Sequence, residues 1–169
     1  MELNQQQNGI LDSRSVKTSH HVDSDRGIDG NKKIKGRKQQ TVVDVLGLPL
    51  SIAIHEANIH DSVGAESVVK VMAGRFPRLK KILADGGYRG ETLSDTVKKT
   101  LGCELSIVLR PDESPKKFSV IPKRWIVERS FAWIENFRRV ALDYEFHSES
   151  SLAMLQIAFS VIMLKKLVL

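Results

Sequence analysis

The sequence predicts an α/β domain built on a mixed five-stranded sheet with helices on both faces. Alternating and β-branched runs fill the first third of the chain, and short apolar runs return near residues 82 and 105. Segments of helical periodicity separate and follow those later runs. The order is therefore three strands, helix, strand, helix, strand, helix, helix. An antiparallel meander followed by alternating helices and strands suits a mixed sheet that is covered on both sides.

Each element has a local signal. Residues 1–9 are polar and read as a leader. Gly9 to Lys17 reads as the first strand, with Asp12 near its middle. Thr18 to Lys38 is polar and rich in Gly, Asp and Lys, which predicts a loop. Thr41-Val42-Val43-Asp44-Val45, the turn Leu46-Gly47-Leu48-Pro49 and Leu50-Ser51-Ile52-Ala53-Ile54-His55 form a hairpin signal. Asp61 or Ser62 would cap a helix running to Gly74. Lys80 to Asp85 is a short buried strand that ends on a carboxylate, and Gly86-Gly87 breaks it. Glu91 to Leu101 reads as a helix ended by Gly102, and Glu104 to Leu109 as the fifth strand. After a loop over Arg110–Val120, a long helix is expected from near Pro122 to about Ala141. The last helix, about Glu149 to Leu167, is apolar almost all round from Leu152 to Leu164 and reads as buried and too short to cross a bilayer.

Composition sets bounds on function. The 169 residues are 41% hydrophobic and 27% charged, as in one ordinary globular domain with a sizeable core. The net charge of +6 favours an anionic partner. Residues 13–39 carry most of it, with eight Lys/Arg against three Asp. The lone Cys103 excludes an internal disulfide and suits a reducing compartment. His and Cys spacing offers no zinc site. The polar opening is not that of a signal peptide, and no membrane span is expected.

Three carboxylates invite a common chemistry. Asp85 stands at the carboxyl end of a central strand, where open α/β sheets place ligands, although a lone Asp-Gly also simply starts a turn. Glu128 lies on a helical wheel with Arg124, Glu135 and Arg139, opposite an apolar arc that includes Ile126, Val127, Phe131 and Ile134. That face suits solvent and a charged groove equally. Asp12, Asp85 and Glu128 together would suit phosphodiester cleavage and transfer. Mg²⁺ takes oxygen ligands, and paired ions about 3.5–4 Å apart can serve both the attacking and the leaving oxygen. Lys32, Lys33, Lys35, Arg37 and Lys38 read either as a solvated loop or as phosphate contacts. Asp44 is assigned a structural role, and Trp125 and Trp133 are assigned to the core.

Six blocks in order carry a resemblance that covers nearly the whole chain. They are Asp12-Ser13-Arg14-Ser15-Val16-Lys17, Lys32 to Lys38, Val43-Asp44-Val45-Leu46-Gly47, Ala57-Asn58-Ile59-His60-Asp61, Ala84-Asp85-Gly86-Gly87-Tyr88-Arg89-Gly90 and Arg124-Trp125-Ile126-Val127-Glu128-Arg129-Ser130-Phe131-Ala132-Trp133. The chain resembles the DDE transposases of bacterial insertion sequences. The resemblance implies a ribonuclease-H-like catalytic domain over residues 10–169. It implies Mg²⁺, with Mn²⁺ as substitute, held by Asp12, Asp85 and Glu128. It also implies cutting and joining of double-stranded DNA at element ends, self-association on DNA, no membrane, and a cytoplasmic, nucleoid-associated location. The family's Arg before the Glu is matched by Arg124. DNA contacts would fall to Arg124, Arg138, Arg139 and the cation run Lys32, Lys33, Lys35, Arg37 and Lys38. Ile121 replaces a frequent Tyr, Glu135 a frequent Lys, and Asp12 follows too few residues for the family's N-terminal end-recognition segment. Two alternatives stay open: a nuclease of the same fold that cuts without joining, and an inactive DNA-binding remnant.

Overall fold

A computed structural model of the chain describes residues 8–22, 24–108 and 123–168. The strands are β1 (Asn8–Lys17), β2 (Gly27–Ile28), β3 (Lys35–Val43), β4 (Pro49–Glu56), β5 (Lys81–Ala84) and β6 (Glu104–Ile107). The helices are α1 (Asp61–Val71), α2 (Glu91–Leu101), α3 (Arg124–Glu135), α4 (Arg138–Ala141) and α5 (Ser148–Val168). A 3₁₀ turn, Gly86–Tyr88, follows β5.

The five long strands lie in the order β4-β3-β1-β5-β6. The β1–β3 and β3–β4 pairs are antiparallel, and β1–β5 and β5–β6 are parallel. This is the expected meander with its parallel extension. β2 adds a two-residue sixth strand against Lys35 and Gly36 of β3, inside the segment expected to be a loop. β1 also takes in Asn8 and Gly9 from the expected leader. Residues 109–122, which hold the expected loop, Ile121 and Pro122, lie outside the described residues.

β3 begins at Lys35 rather than near Gln40, so the end of the cation run is strand. Gly36 makes that pairing possible, since a Cβ there would meet the Val16 carbonyl oxygen at 1.9 Å. The consequence is a correction for Arg37 and Lys38. Arg37 is fully buried; its guanidinium donates to Asp143 Oδ2 at 3.0 Å and to the carbonyls of Ser24, Asp25, Glu145 and Phe146. Lys38 is buried too, with Nζ 3.1 Å from Asp61 Oδ1 and 2.9 Å from the Ile59 carbonyl. Strand geometry turned these two cations inward, where carboxylates and carbonyls take up their charge. They are not part of a phosphate-facing surface. Lys32, Lys33 and Lys35 remain exposed.

Two cores flank the sheet. On one face Leu11, Val42 and Ile82 pack with Val68, Val69 and Met72 of α1 and Leu93 and Val97 of α2. On the other Ile10 and Val43 pack with Ile126, Val127, Phe131 and Ile134 of α3 and Leu155, Phe159 and Ile162 of α5. The side-chain alternation of β1 thus places Asp12 on the α3 face with Ile10. α1 is capped by His60, whose Nδ1 accepts from the Ser62 N–H, one residue before the expected cap.

Two helical expectations need correcting. The long helix breaks at Phe137, whose φ of −93° and ψ of 109° are extended, so Arg138 and Arg139 sit on a separate short helix. The last helix is only partly buried. It presents one stripe to the core, while Ile157 and Leu164 are about three-fifths exposed and Leu167 is 82% exposed. With 21 residues and a mean hydropathy of 1.7 over its most apolar window, it is long and apolar enough to cross a membrane by length and composition alone. Here its stripe packs on the sheet.

Candidate active site

Strand register brings Asp12 and Asp85 together. β1 and β5 run parallel with Ile10 opposite Leu83, and each carboxylate stands two residues further on. They therefore lie side by side, Asp12 in the middle of β1 and Asp85 just past the carboxyl end of β5, beside a small pocket lined by Ile10, Leu83, Val108 and Arg124. Asp85 does two jobs. Its Oδ1 accepts from the Gly87 N–H at 2.9 Å and so starts the 3₁₀ turn, while its Oδ2 faces Arg124. The turn-starting reading of this residue holds, and its second oxygen is left to the Arg124 guanidinium.

α3 delivers the remaining groups from across the sheet. The β3–β4 hairpin holds it there. Ser130 Oγ donates to the Gly47 carbonyl at 2.7 Å, and Arg129 Nη2 to the Leu46 carbonyl at 2.8 Å. Gly47 has φ +82°, and a Cβ there would lie 2.7 Å from Ser130 Oγ, so the turn needs glycine both for its backbone and for this contact. Asp44 fixes the same turn by accepting from the N–H groups of Leu46 and Leu48, each at 2.8 Å. Its role is structural, as expected.

The guanidinium of Arg124 collects all three carboxylates. Nε lies 3.6 Å from Asp12 Oδ2 and 3.2 Å from Glu128 Oε1, and Nη1 lies 3.2 Å from Asp85 Oδ2. Glu128 thus faces a charged groove at its inner end while 57% of its side chain stays open to solvent. Asp12 is buried, and that burial pushes its carboxyl up to about 6. The nearby Asp85 charge adds to the rise; the Ser13 N–H and Arg124 oppose it. Lys32 Nζ reaches the Ser13 carbonyl at 3.5 Å, which places one cation of the basic run beside the site.

The donors suit a hard divalent cation, since all are carboxylate oxygens and already converge on one positive group. Among the described residues, however, no three His, Cys, Asp or Glu side chains form a ready metal cage. Arg124 stands in their midst.

Other expectations fall out unevenly. Glu135 pairs with Arg14 at 3.4 Å, so the acid found in place of the family's frequent Lys is tied to β1. Arg139 pairs with Glu145 at 2.6 Å, and Arg138 and Arg139 are both exposed on α4. Cys103 is buried, and burial raises its thiol pKa. Trp125 is 49% exposed, which corrects its assignment to the core. The periodicity could not show a bracket behind the site. Tyr88 Oη donates to Gln40 Oε1 at 2.8 Å, and Gln40 Nε2 donates to the Asp61 carbonyl at 3.3 Å. The bracket ties the Asp85 turn to β3 and α1.

Residues 4–163 match the family described as Transposase DDE domain. The chain belongs to that family. This DDE domain is also 28% identical over 134 residues to a protein described as a putative transposase for insertion sequence element IS402 from Burkholderia cepacia. The match covers 75% of this chain and 62% of that relative, so the chain spans about three-fifths of the relative's length. Among solved structures, the crystal structure of the catalytic core domain of BIV integrase superposes with a TM-score of 0.53 at 12% identity, over 91% of this chain and 81% of that one. At such identity the likeness concerns fold alone, and it is the expected ribonuclease-H-like fold.

Proposed function

We propose that this DDE domain cuts DNA strands at the ends of an insertion sequence and joins the freed 3′-hydroxyls to target DNA, with Asp12, Asp85 and Glu128 holding divalent cations. The observation that carries the proposal is the convergence of these three side chains on Arg124, beside the middle of β1 and the carboxyl end of β5. Bound Mg²⁺ would supply Lewis-acid activation of the attacking oxygen and stabilise the leaving one. The chain's own groups do the rest. Asp12 and Asp85 are fixed by adjacent strands, and Glu128 approaches from a helix pinned to the hairpin. Arg124 exchanges its carboxylate partners for a phosphate oxygen of the strand, the kind of acceptor a guanidinium grips well. Lys32, Lys33 and Lys35 steer the DNA backbone toward that site.

Plasmid nicking and oligonucleotide joining in Mg²⁺ or Mn²⁺ test this. Both activities should vanish in Asp85→Asn while DNA binding and folding persist. Nicking without any joined product would favour the cutting-only nuclease. Binding with neither activity in the wild-type chain would leave the DNA-binding remnant. Self-association on paired DNA ends and a nucleoid-associated location belong to the same proposal.

A further inference from the structure

We propose that Tyr88 is a positioning residue of the candidate site. With Ser13 it ties the Asp12 strand to the Asp85 turn from behind the sheet, and so sets the separation of the two carboxylates. The inference rests on the proposed metal-dependent function and names what holds that site in shape. Tyr88 is buried and closes the 3₁₀ turn that Asp85 starts. Its hydroxyl donates to Gln40 Oε1 at 2.8 Å and lies within hydrogen-bonding reach of the Ser13 side chain. Ser13 follows Asp12 in β1. Its N–H donates to Asp12 Oδ1 at 2.8 Å, and its Oγ donates to Asp61 Oδ1 at 2.8 Å. The same Asp61 oxygen takes Lys38 Nζ at 3.1 Å. The other Asp61 oxygen faces the Asp85 turn, since a Cβ at Gly87 would lie 3.6 Å from it.

A folding role explains part of this network. Alternation puts Leu11, Ser13 and Ser15 on the α1 face of β1, opposite Val42, Gln40 and Lys38 of β3. The Leu11–Val42 row is apolar and belongs to the core, while the two rows beyond Asp12 are polar and buried. The Ser15–Lys38 row has a local task. Ser15 Oγ and the N–H groups of Asn31 and Lys32 all donate to Asp29, which fixes the loop before β3. The Ser13–Gln40 row has no such loop to hold, and an apolar pair would fill it without the demand that every buried polar group find a partner. What the polar row adds is a connection between the residue after Asp12 and the residue that ends the Asp85 turn. Strand pairing does not supply it. The β1–β5 ladder ends at Ile10 and Leu83, so both aspartates stand two residues beyond its last pair. Two carboxylates past the end of a ladder repel each other, and Mg²⁺ demands near-ideal ligand geometry. Hydrogen bonds behind metal-binding carboxylates commonly meet that demand.

Tyr88→Phe and Ser13→Ala each remove one hydroxyl. Mn²⁺ binding is followed by electron paramagnetic resonance, on the free protein and on its complex with duplex DNA. The Mn²⁺ held at the site is the part that Asp85→Asn loses. Each variant should bind that Mn²⁺ about 10- to 100-fold more weakly than the wild type. The double variant should lose little more than the worse single one, because the two groups act as one tether. Urea melts in EDTA read the folding role separately. Unchanged Mn²⁺ affinity in the folded variants, whatever their stability, or losses that simply add, overturns the tether while leaving the metal site intact. Variants that do not fold without denaturant also overturn it, since they reduce Tyr88 and Ser13 to folding roles. No site-bound Mn²⁺ in the wild-type chain, free or on DNA, overturns the metal reading and the tether with it.

Discussion

Arg124 Nη1 lies 3.2 Å from Asp85 Oδ2, and the same guanidinium reaches Asp12 and Glu128. One side chain thus offsets part of the charge of the three carboxylates that, on the proposed function, hold a divalent cation. Arg124 is an internal counter-ion and, on the proposed function, a phosphate contact, so the two roles compete for one guanidinium.

Removing Arg124 should therefore separate metal binding from DNA binding. Arg124→Gln should bind Mn²⁺ several-fold more tightly than the wild type in a titration followed by electron paramagnetic resonance, because no cation has to be displaced. The same variant should bind DNA more weakly. Unchanged or weaker Mn²⁺ binding would mean that Arg124 supports the carboxylate geometry rather than competing for it.

Asp12 has a pH signature in the metal-free protein. Its folded pKa, about 6, is above its ordinary value of 3.8, so the folded state holds this proton more tightly. The resulting stability is present below about pH 4 and is lost as pH rises through 6. Asp12→Asn should then be more stable than the wild type at pH 7.5 in EDTA, by up to about 3 kcal/mol, and the advantage should fade by about pH 4. Urea melts at several pH values measure this. Added Mn²⁺ should shrink the difference, since a cation favours the carboxylate.

The basic run should split into two phenotypes. Arg37→Ala leaves Asp143 buried without its counter-ion, with only the Ser151 hydroxyl and the Glu145 N–H still donating to it, which costs about 3–5 kcal/mol. Alanine at exposed Lys33 should change stability by less than about 0.5 kcal/mol. In DNA binding against salt, each of Lys32, Lys33 and Lys35 that touches a duplex phosphate should lower the log–log slope by about 0.9 when replaced. A folded conservative variant of Lys38 should leave that slope alone.

Much of this was legible in the residues. Asp12, Asp85 and Glu128 lie in short, dense blocks, and the strand and helix signals around them set the fold. Periodicity could place Glu128 opposite the apolar arc, but not decide between solvent and groove; that depends on how the hairpin contacts of Arg129 and Ser130 tilt α3. The inward turn of Arg37 and Lys38 was hidden because their partners, Asp143 and Asp61, lie far away in sequence. The break at Phe137 has no Gly or Pro to announce it. α5 looked buried because composition does not say how much of a helix the core can cover, and here the sheet takes only one stripe. Trp125 looked like core for the same reason.

On the proposed function, Asp12, Asp85 and Glu128 form one metal site once Arg124 withdraws. A crystal structure after a Mn²⁺ soak, with and without bound DNA, tests it directly. Anomalous density for one or two ions among the three carboxylates is expected, with the Arg124 guanidinium displaced. Carboxylates still gathered on Arg124 with no anomalous density, in the DNA-bound crystal as well as the free one, would contradict it.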